Sequence, residues 1–152
     1  MTSERPRRGA SAAAAHRAPG TMARRVLVVD DNGEQRATFA RALADGGYAV
    51  EQAADAGEAL RKALEAPPDV VVLDLVLPDA HGVEAAGAFR AMTRTRRMPI
   101  VVVTAYTDAA EQLDPKRFGA ECVLTKPVSD DELRAAVERC LVPAGDDAQA
   151  EL

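Results

Sequence analysis

The chain of 152 residues is long enough for one domain of ordinary size, so we expect no second output domain. The net charge of −5 is unevenly distributed: residues 1–25 carry six Arg and one Glu, which leaves 13 cations and 23 anions for the rest. Because that acidic remainder repels nucleic-acid phosphates, direct binding of DNA or RNA is not expected. No apolar run approaches the ~18 residues that span a bilayer, so a soluble protein without membrane contact is predicted.

The two ends of the chain lack the patterns of folded segments. Residues 1–22 are rich in Arg and Ala without apolar periodicity, and they are predicted to form a disordered basic arm to which we assign no function. Residues 144–152 are predicted to form a short acidic tail. A single domain over residues 23–143 lies between them.

Short apolar and β-branched runs begin near residue 25 and alternate with helical patterns. The first, third and fourth runs are almost continuously apolar, as expected for parallel strands covered by helices on both faces. Five strands alternating with five helices predict a doubly wound α/β sheet. The predicted strands are residues 26–29, 49–51, 70–73, 100–103 and 122–124.

The first two helix signals lie on either side of the second predicted strand. The first helix has one apolar stripe, formed by Phe39, Ala40 and Leu43. It is predicted to end at Gly46 and Gly47. Asp55 and Glu58 have capping-box spacing and predict the start of the second helix, which Pro67 and Pro68 end.

The later helices follow the third, fourth and fifth strands. The third helix is predicted to start just after Gly82, and its buried residues should be Val83, Ala86 and Phe89 or Met92. The fourth, within residues 108–118, is expected to be short or broken because Pro115 removes a helical hydrogen bond. The fifth has capping-box spacing at Ser129 and Glu132, and its apolar face is Leu133, Ala136, Val137, Cys140 and Leu141.

Polar residues follow the apolar strands at the points where those strands end. Asp30 and Asp31 follow the first, Asp74 the third, Thr104 the fourth and Lys126 the fifth. Ligands of open α/β sheets bind at the carboxyl edge where the strand order reverses, which for the order 2-1-3-4-5 lies between strands one and three. Three converging carboxylates repel one another unless a cation neutralises them, and such hard oxygen ligands suit Mg²⁺.

Each of these residues has an ordinary structural interpretation when it is considered alone. Asp30 and Asp31 could be a helix N-cap with a solvated neighbour, and Asp74 could be a turn residue. Lys126 could be a surface lysine, and Thr104 a β-branched strand residue. Only their placement at one sheet edge makes them a candidate site.

The two cysteines give no sign of a metal or redox site. Cys122 and Cys140 are 18 residues apart, in different predicted elements, and belong to no CxxC or Cys/His cluster. We predict that both are buried core thiols in a reducing cytosol.

Four motifs together resemble the receiver domains of two-component response regulators, over essentially all of residues 25–142. The motifs occur in the family's order and at family-like spacing: VLVVDD at 26–31, VVLDLVLPDAHG at 71–82, VVVTA at 101–105 and GAECVLTKP at 119–127. The resemblance implies the flavodoxin-like receiver fold, with five parallel strands in the order 2-1-3-4-5 and five flanking helices.

The resemblance also implies a role for each residue of the candidate site. Asp30 and Asp31 would hold Mg²⁺, and Asp74 would be both a metal ligand and the phosphoacceptor. The backbone carbonyl of Val76 would complete the protein ligands. Thr104 would be the hydroxyl switch residue and Lys126 would pair with the phosphoryl group. The peptide bond between Lys126 and Pro127 would be cis.

The function that the resemblance implies is that of a cytoplasmic single-domain response regulator. A sensor histidine kinase or a histidine phosphotransfer protein would donate the phosphoryl group, and a downstream protein effector or a homodimer would read it. The chain would act on no separate substrate and would not be an enzyme. Two alternatives stay open, namely a receiver-like docking module that does not depend on phosphate and a Mg²⁺-dependent aspartate-nucleophile phosphatase.

Several residues depart from the family pattern. Val123 stands three residues before the lysine, where receivers usually have Tyr or Phe, and Tyr106 does not replace that ring. His81 follows Asp74 in the loop where the family often has Asp or Asn, and His16 lies in the arm; both are interpreted as incidental. The aromatic residue that usually couples to the switch hydroxyl is therefore missing from its position.

Overall fold

The computed structural model describes residues 23–77, 82–105 and 119–141. In these residues five parallel strands form one sheet in the order β2-β1-β3-β4-β5, which confirms the predicted order. Every predicted strand is present and is one to three residues longer than predicted. The strands are β1 Arg25–Val29, β2 Ala49–Ala53, β3 Val70–Asp74, β4 Ile100–Thr104 and β5 Ala120–Thr125.

Four helices flank the sheet within the described residues. They are α1 Gly33–Asp45, α2 Ala56–Glu65, α3 Gly82–Ala91 and α4 Asp130–Cys140. The segment predicted to form a short or broken helix, residues 108–118, lies outside the described residues. The same is true of Tyr106, His81, the basic arm and the acidic tail, so those predictions stay untested.

Side chains that accept hydrogen bonds from the first turn fix the starts of three helices. Asn32 caps α1, which shows that the alternative reading of Asp30 or Asp31 as that N-cap is wrong. Ser129 and Glu132 form the predicted reciprocal capping box of α4. The box predicted for α2 is only half formed: Asp55 caps the helix, but Glu58 accepts from the amide of Ala54.

The strands send alternate side chains into two apolar cores, one on each face of the sheet. Leu27, Val71 and Ile100 point to the face covered by α2 and α3, where Phe89 is the largest buried side chain. Their neighbours point to the face covered by α1 and α4, where Phe39, Leu43, Leu133 and Val137 pack against Val26, Val70 and Val101. Because both faces are covered, β1, β3 and β4 tolerate few polar residues, and polar groups concentrate at the strand ends.

The predicted apolar faces of the third and last helices are largely confirmed. Ala86 and Phe89 of α3 are buried, whereas Met92 is half-buried and the side chain of Val83 is outside the described set. In α4 the residues Leu133, Ala136 and Val137 are buried, but Leu141 only partly.

The two cysteines are less buried than predicted. Cys122 lies on β5, which is an edge strand, and Cys140 lies in the last turn of α4; both are half-buried free thiols at the margin of the core. Burial raises the pKa of both thiols, to about 12 for Cys140. The physical reason for the difference is position, because an edge strand and a helix end are each covered on fewer sides than a central strand.

An arginine loop, residues 92–99, connects α3 to β4 at the amino edge of the sheet. Thr95 anchors it from within, since its buried hydroxyl donates to the carbonyl of Phe89 at 2.6 Å. Arg90 donates to the carbonyls of Met98 and Gly119, both at 2.6 Å, and so ties the loop to the start of β5. The loop presents three exposed arginines to solvent, namely Arg94, Arg96 and Arg97.

Replacing Gly119 by Ala should lower the free energy of unfolding by about 2 kcal/mol. Gly119 has a φ of 78°, and a Cβ there would lie 2.5 Å from Nε of Arg90, whose guanidinium is held by backbone carbonyls. The matched control is Gly87→Ala, because a Cβ at Gly87 meets no atom within 4 Å and should stabilise α3 by about 0.8 kcal/mol. Urea unfolding of both variants measures the difference, and equal stabilities would contradict the prediction.

Candidate functional site

Five residues predicted from the sequence meet at the carboxyl edge of the sheet. Asp30 and Asp31 directly follow β1, Asp74 is the last residue of β3, and Thr104 is the last residue of β4. Lys126 directly follows β5. Since β1 and β3 are neighbours in the sheet, their ends bring Asp30 and Asp74 together at the point where the strand order reverses.

Three carboxylates form an acidic cluster at this edge. One oxygen from each of Asp30, Asp31 and Asp74 lies within 4.8 Å of the other two. Asp30 and Asp74 are buried, with exposed fractions of 2% and 8%, whereas Asp31 is exposed. Two of the three carboxylates are therefore enclosed by the protein, and the third faces solvent.

Lys126 bridges the two buried carboxylates. Its Nζ lies 3.2 Å from Oδ2 of Asp30 and 3.2 Å from Oδ2 of Asp74. Burial lowers the pKa of Lys126, but attraction to Asp74 and Asp30 outweighs it, so the net pKa of this ammonium is raised. Burial raises the pKa of Asp30, more than its hydrogen bond from Asn32 and the charge of Lys126 lower it.

Backbone amides orient the carboxylates of the cluster. The amide of Asn32 donates to Oδ1 of Asp30 at 2.9 Å, and the amide of Val76 donates to Oδ1 of Asp74 at 3.0 Å. The other oxygen of each carboxylate accepts from Lys126. These contacts hold the two buried side chains in defined directions.

The end of β4 is joined to the residue that carries the ammonium group. The backbone carbonyl of Thr104 accepts from the amide of Lys126 at 2.7 Å, and Thr104 is buried. The peptide bond between Lys126 and Pro127 is cis, as the resemblance implied. Thr104 and Lys126 are thus fixed relative to each other through their backbones.

The donor set at this edge fits a hard divalent cation. Carboxylate oxygens are the ligands that Mg²⁺ prefers, and Mg²⁺ usually keeps several of its waters, which the exposed side at Asp31 allows. A cation would also relieve the repulsion among the three carboxylates, of which only Asp30 and Asp74 contact Lys126. Val76 is 50% exposed beside the cluster, and its carbonyl as a further ligand stays a prediction.

Two residues at the site were not anticipated from the sequence. Asn32 caps α1 and also supplies the amide that binds Asp30, and Arg36 reaches the carbonyl of Asp30 from the next turn of the helix. An Asn before a helix is a recognisable capping signal, but the reach of Arg36 leaves no local pattern. Val123 is half-buried and packs against the core beneath α2 and α3, so an aliphatic side chain occupies the position of the usual aromatic.

Comparison with known proteins identifies the family. The model of the response regulator receiver domain matches residues 26–138. The chain belongs to the response regulator receiver family. The receiver match includes β1 from its second residue, the other four strands and three of the four described helices completely, and α4 as far as Glu138.

Individual relatives of this receiver differ in length. The transcriptional regulatory protein KdpE of Mycobacterium tuberculosis is 40% identical over 118 residues, which cover 75% of this chain and 51% of KdpE. The receiver thus spans about half the length of that relative. Protein PilH of Pseudomonas aeruginosa is 30% identical over 117 residues, which cover 77% of this chain and 97% of PilH.

A solved structure has the same fold as this receiver. The chemotaxis response regulator CheY4 of Vibrio cholerae superposes with a TM-score of 0.73 at 34% identity, covering 78% of this chain and 99% of CheY4. Receiver domains in general bind Mg²⁺ at an aspartate cluster and interact with histidine kinases and effectors. Among the described residues, no helix of this receiver is long and apolar enough to cross a membrane.

Proposed function

We propose that the chain is a single-domain response regulator that accepts a phosphoryl group on Asp74. The observation that carries this proposal is the acidic cluster of Asp30, Asp31 and Asp74 with Lys126 bridging its two buried members. A carboxylate nucleophile, two further carboxylates for a cation and an ammonium group for the incoming anion are the parts that phosphoryl transfer to aspartate needs.

The residues of the cluster have separate roles in the proposed reaction. Asp30, Asp31, Asp74 and the carbonyl of Val76 would hold Mg²⁺, which when bound offsets negative charge on the phosphoryl oxygens. A carboxylate oxygen of Asp74 attacks phosphorus, the bond to the donor nitrogen breaks, and an acyl phosphate forms while the donor imidazole leaves.

The groups around Asp74 favour the phosphorylated product. Transfer adds negative charge beside Lys126, whose ammonium already lies 3.2 Å from Asp74 and 3.2 Å from Asp30 and would gain a further anionic partner. The hydroxyl of Thr104 is proposed to bind another phosphoryl oxygen from the end of β4. Repositioning of these two side chains would be the first structural consequence of phosphorylation.

The partners in this proposal are proteins. A sensor histidine kinase or a histidine phosphotransfer protein would supply the phosphoryl group in the cytoplasm, and a protein effector or a second copy of the chain would bind the phosphorylated form. PilH and CheY4 support a single-domain regulator because the alignments cover 97% and 99% of those proteins. The chain would catalyse no reaction beyond its own phosphorylation and dephosphorylation.

Acetyl phosphate tests the proposal without knowledge of the kinase. Incubation with acetyl phosphate and Mg²⁺ should add the mass of one phosphoryl group, and EDTA should prevent the gain. No mass gain in the presence of Mg²⁺ would overturn the phosphoacceptor function and favour a docking module that does not depend on phosphate. The observation that favours a docking module is Val123, which stands where receivers usually have an aromatic residue.

We expect the acyl phosphate to be long-lived. Val76 is exposed beside Asp74 and offers no polar side-chain group to orient a water molecule for attack on phosphorus. Replacing Val76 by Asn should shorten the half-life of the phosphorylated protein, measured as loss of added mass after acetyl phosphate is removed with Mg²⁺ retained. A half-life of only seconds in the unmodified protein would contradict this expectation.

A further inference from the structure

Arg36 connects helix α1 to the backbone carbonyl of Asp30, which is a residue of the acidic cluster. Its Nη1 donates to the backbone carbonyl of Asp30 at 2.8 Å, and its Nε donates to Oε1 of Gln52 at 3.0 Å. Gln52 lies on β2, the edge strand beside β1. The half-buried guanidinium of Arg36 thus links α1 to the end of β1 and to β2.

The Asp30 residue is held by hydrogen bonds at its amide, its carbonyl and its side chain. Its amide donates to the carbonyl of Ala53 at 3.1 Å, its carbonyl accepts from Arg36, and its carboxylate accepts from the amide of Asn32. The carbonyl of Asp30 belongs to the peptide group that leads into Asp31. Fixing this carbonyl therefore fixes the direction in which both side chains leave the backbone.

Gln52 is itself held in place from the other side. Its backbone carbonyl accepts from Nζ of Lys62 at 2.6 Å, and the same Nζ lies 3.3 Å from a carboxylate oxygen of Glu58 on α2. The side chain of Gln52 is therefore a supported acceptor for Arg36, although it lies on an edge strand. The planar guanidinium of Arg36 donates from two separate nitrogens held in a fixed geometry, whereas an ammonium group would have to reach both acceptors from a single nitrogen.

We propose that Arg36, supported by Gln52, is a positioning residue that sets the geometry of the metal-binding pair Asp30 and Asp31. This inference rests on the proposed function, because it concerns the affinity of the same cluster for Mg²⁺. Arg36 bonds the carbonyl and not the carboxylate of Asp30, so it leaves the ligand oxygens of Asp30 available. Residues that orient metal ligands in this way typically change metal affinity by about tenfold or more.

The test measures Mg²⁺ binding directly, by calorimetric titration of the full chain without any phosphodonor. Arg36→Lys keeps the positive charge but removes the pair of donor nitrogens in the guanidinium. Gln52→Ala removes only the side-chain acceptor of Arg36 on β2. We expect the Kd for Mg²⁺ to rise about tenfold in Arg36→Lys, and less in Gln52→Ala. Arg41→Lys is the matched control, since Arg41 is exposed on the same helix, and its Kd should equal that of the unmodified protein.

A thermal unfolding curve without metal separates positioning from a purely structural role. An unchanged Kd in both variants would overturn the proposal, whatever happens to the melting temperature. Should Arg36→Lys fail to fold, Gln52→Ala alone decides by the same criterion. If the unmodified protein bound no Mg²⁺, the proposed function and this inference would both fail, whereas normal binding in all variants would overturn only the role of Arg36.

Discussion

Replacing Asp74 by Asn should abolish the mass gain from acetyl phosphate and Mg²⁺ completely. The substitution keeps the shape of the side chain and an oxygen that can accept from the amide of Val76, but it removes the carboxylate nucleophile. It also removes one of three clustered negative charges, so repulsion within the cluster falls. We therefore expect the free energy of unfolding without metal to stay equal or rise.

Intact-mass spectrometry and urea unfolding of the same preparation separate chemistry from folding. The control is Asp45→Asn, because Asp45 is an exposed carboxylate at the end of α1, far along the helix from the cluster. It should be phosphorylated like the unmodified protein. A normal mass gain in Asp74→Asn would show that another group accepts the phosphoryl group.

Replacing Lys126 by Met should lower the free energy of unfolding without metal by about 3 kcal/mol, because it leaves two buried carboxylates without their shared cation. The pKa of Asp30, which burial already raises, should rise further. A carboxyl whose folded pKa lies above its unfolded pKa destabilises the fold at higher pH, and this penalty is relieved as the pH falls through the folded pKa toward the unfolded pKa. Acidification through that range should therefore recover part of the loss.

Added Mg²⁺ should also recover stability in Lys126→Met, because a divalent cation can replace the lost ammonium beside Asp30 and Asp74. The control is Lys62→Met, since Lys62 is also half-buried but pairs with a single carboxylate, that of Glu58. Urea unfolding should give it the smaller loss, and added Mg²⁺ should stabilise it no more than it stabilises the unmodified protein. Equal losses in the two variants, with equal gains from the metal, would contradict the bridging role of Lys126.

The features that could be predicted from the sequence are those that repeat along the chain or have a local signal. Burial on both faces forces β1, β3 and β4 to be continuously apolar. This pattern predicted both the parallel sheet and the edge at which the polar residues lie. Capping signals at Asp55 and Ser129 located the starts of α2 and α4 to the residue.

Long-range contacts of single side chains could not be predicted from the same patterns. Arg36 reaches a carbonyl six residues earlier and a side chain on β2, and Arg90 reaches a carbonyl 29 residues later. Nothing local distinguishes either from an ordinary surface arginine. Likewise Glu58 has capping-box spacing but accepts from the amide of Ala54 and not from that of the N-cap residue Asp55.

The arginine loop and the acidic cluster place groups of opposite charge at the two ends of the strands. The three arginines of the loop lie at the amino edge of the sheet, whereas the acidic cluster and the acidic first turns of α1, α2 and α4 lie at the carboxyl edge. The field of these charges draws small cations toward the acidic end and slows the approach of anions to it. On the proposed function, Mg²⁺ would therefore bind first, and an anionic phosphodonor would then meet an edge whose negative charge has already been reduced.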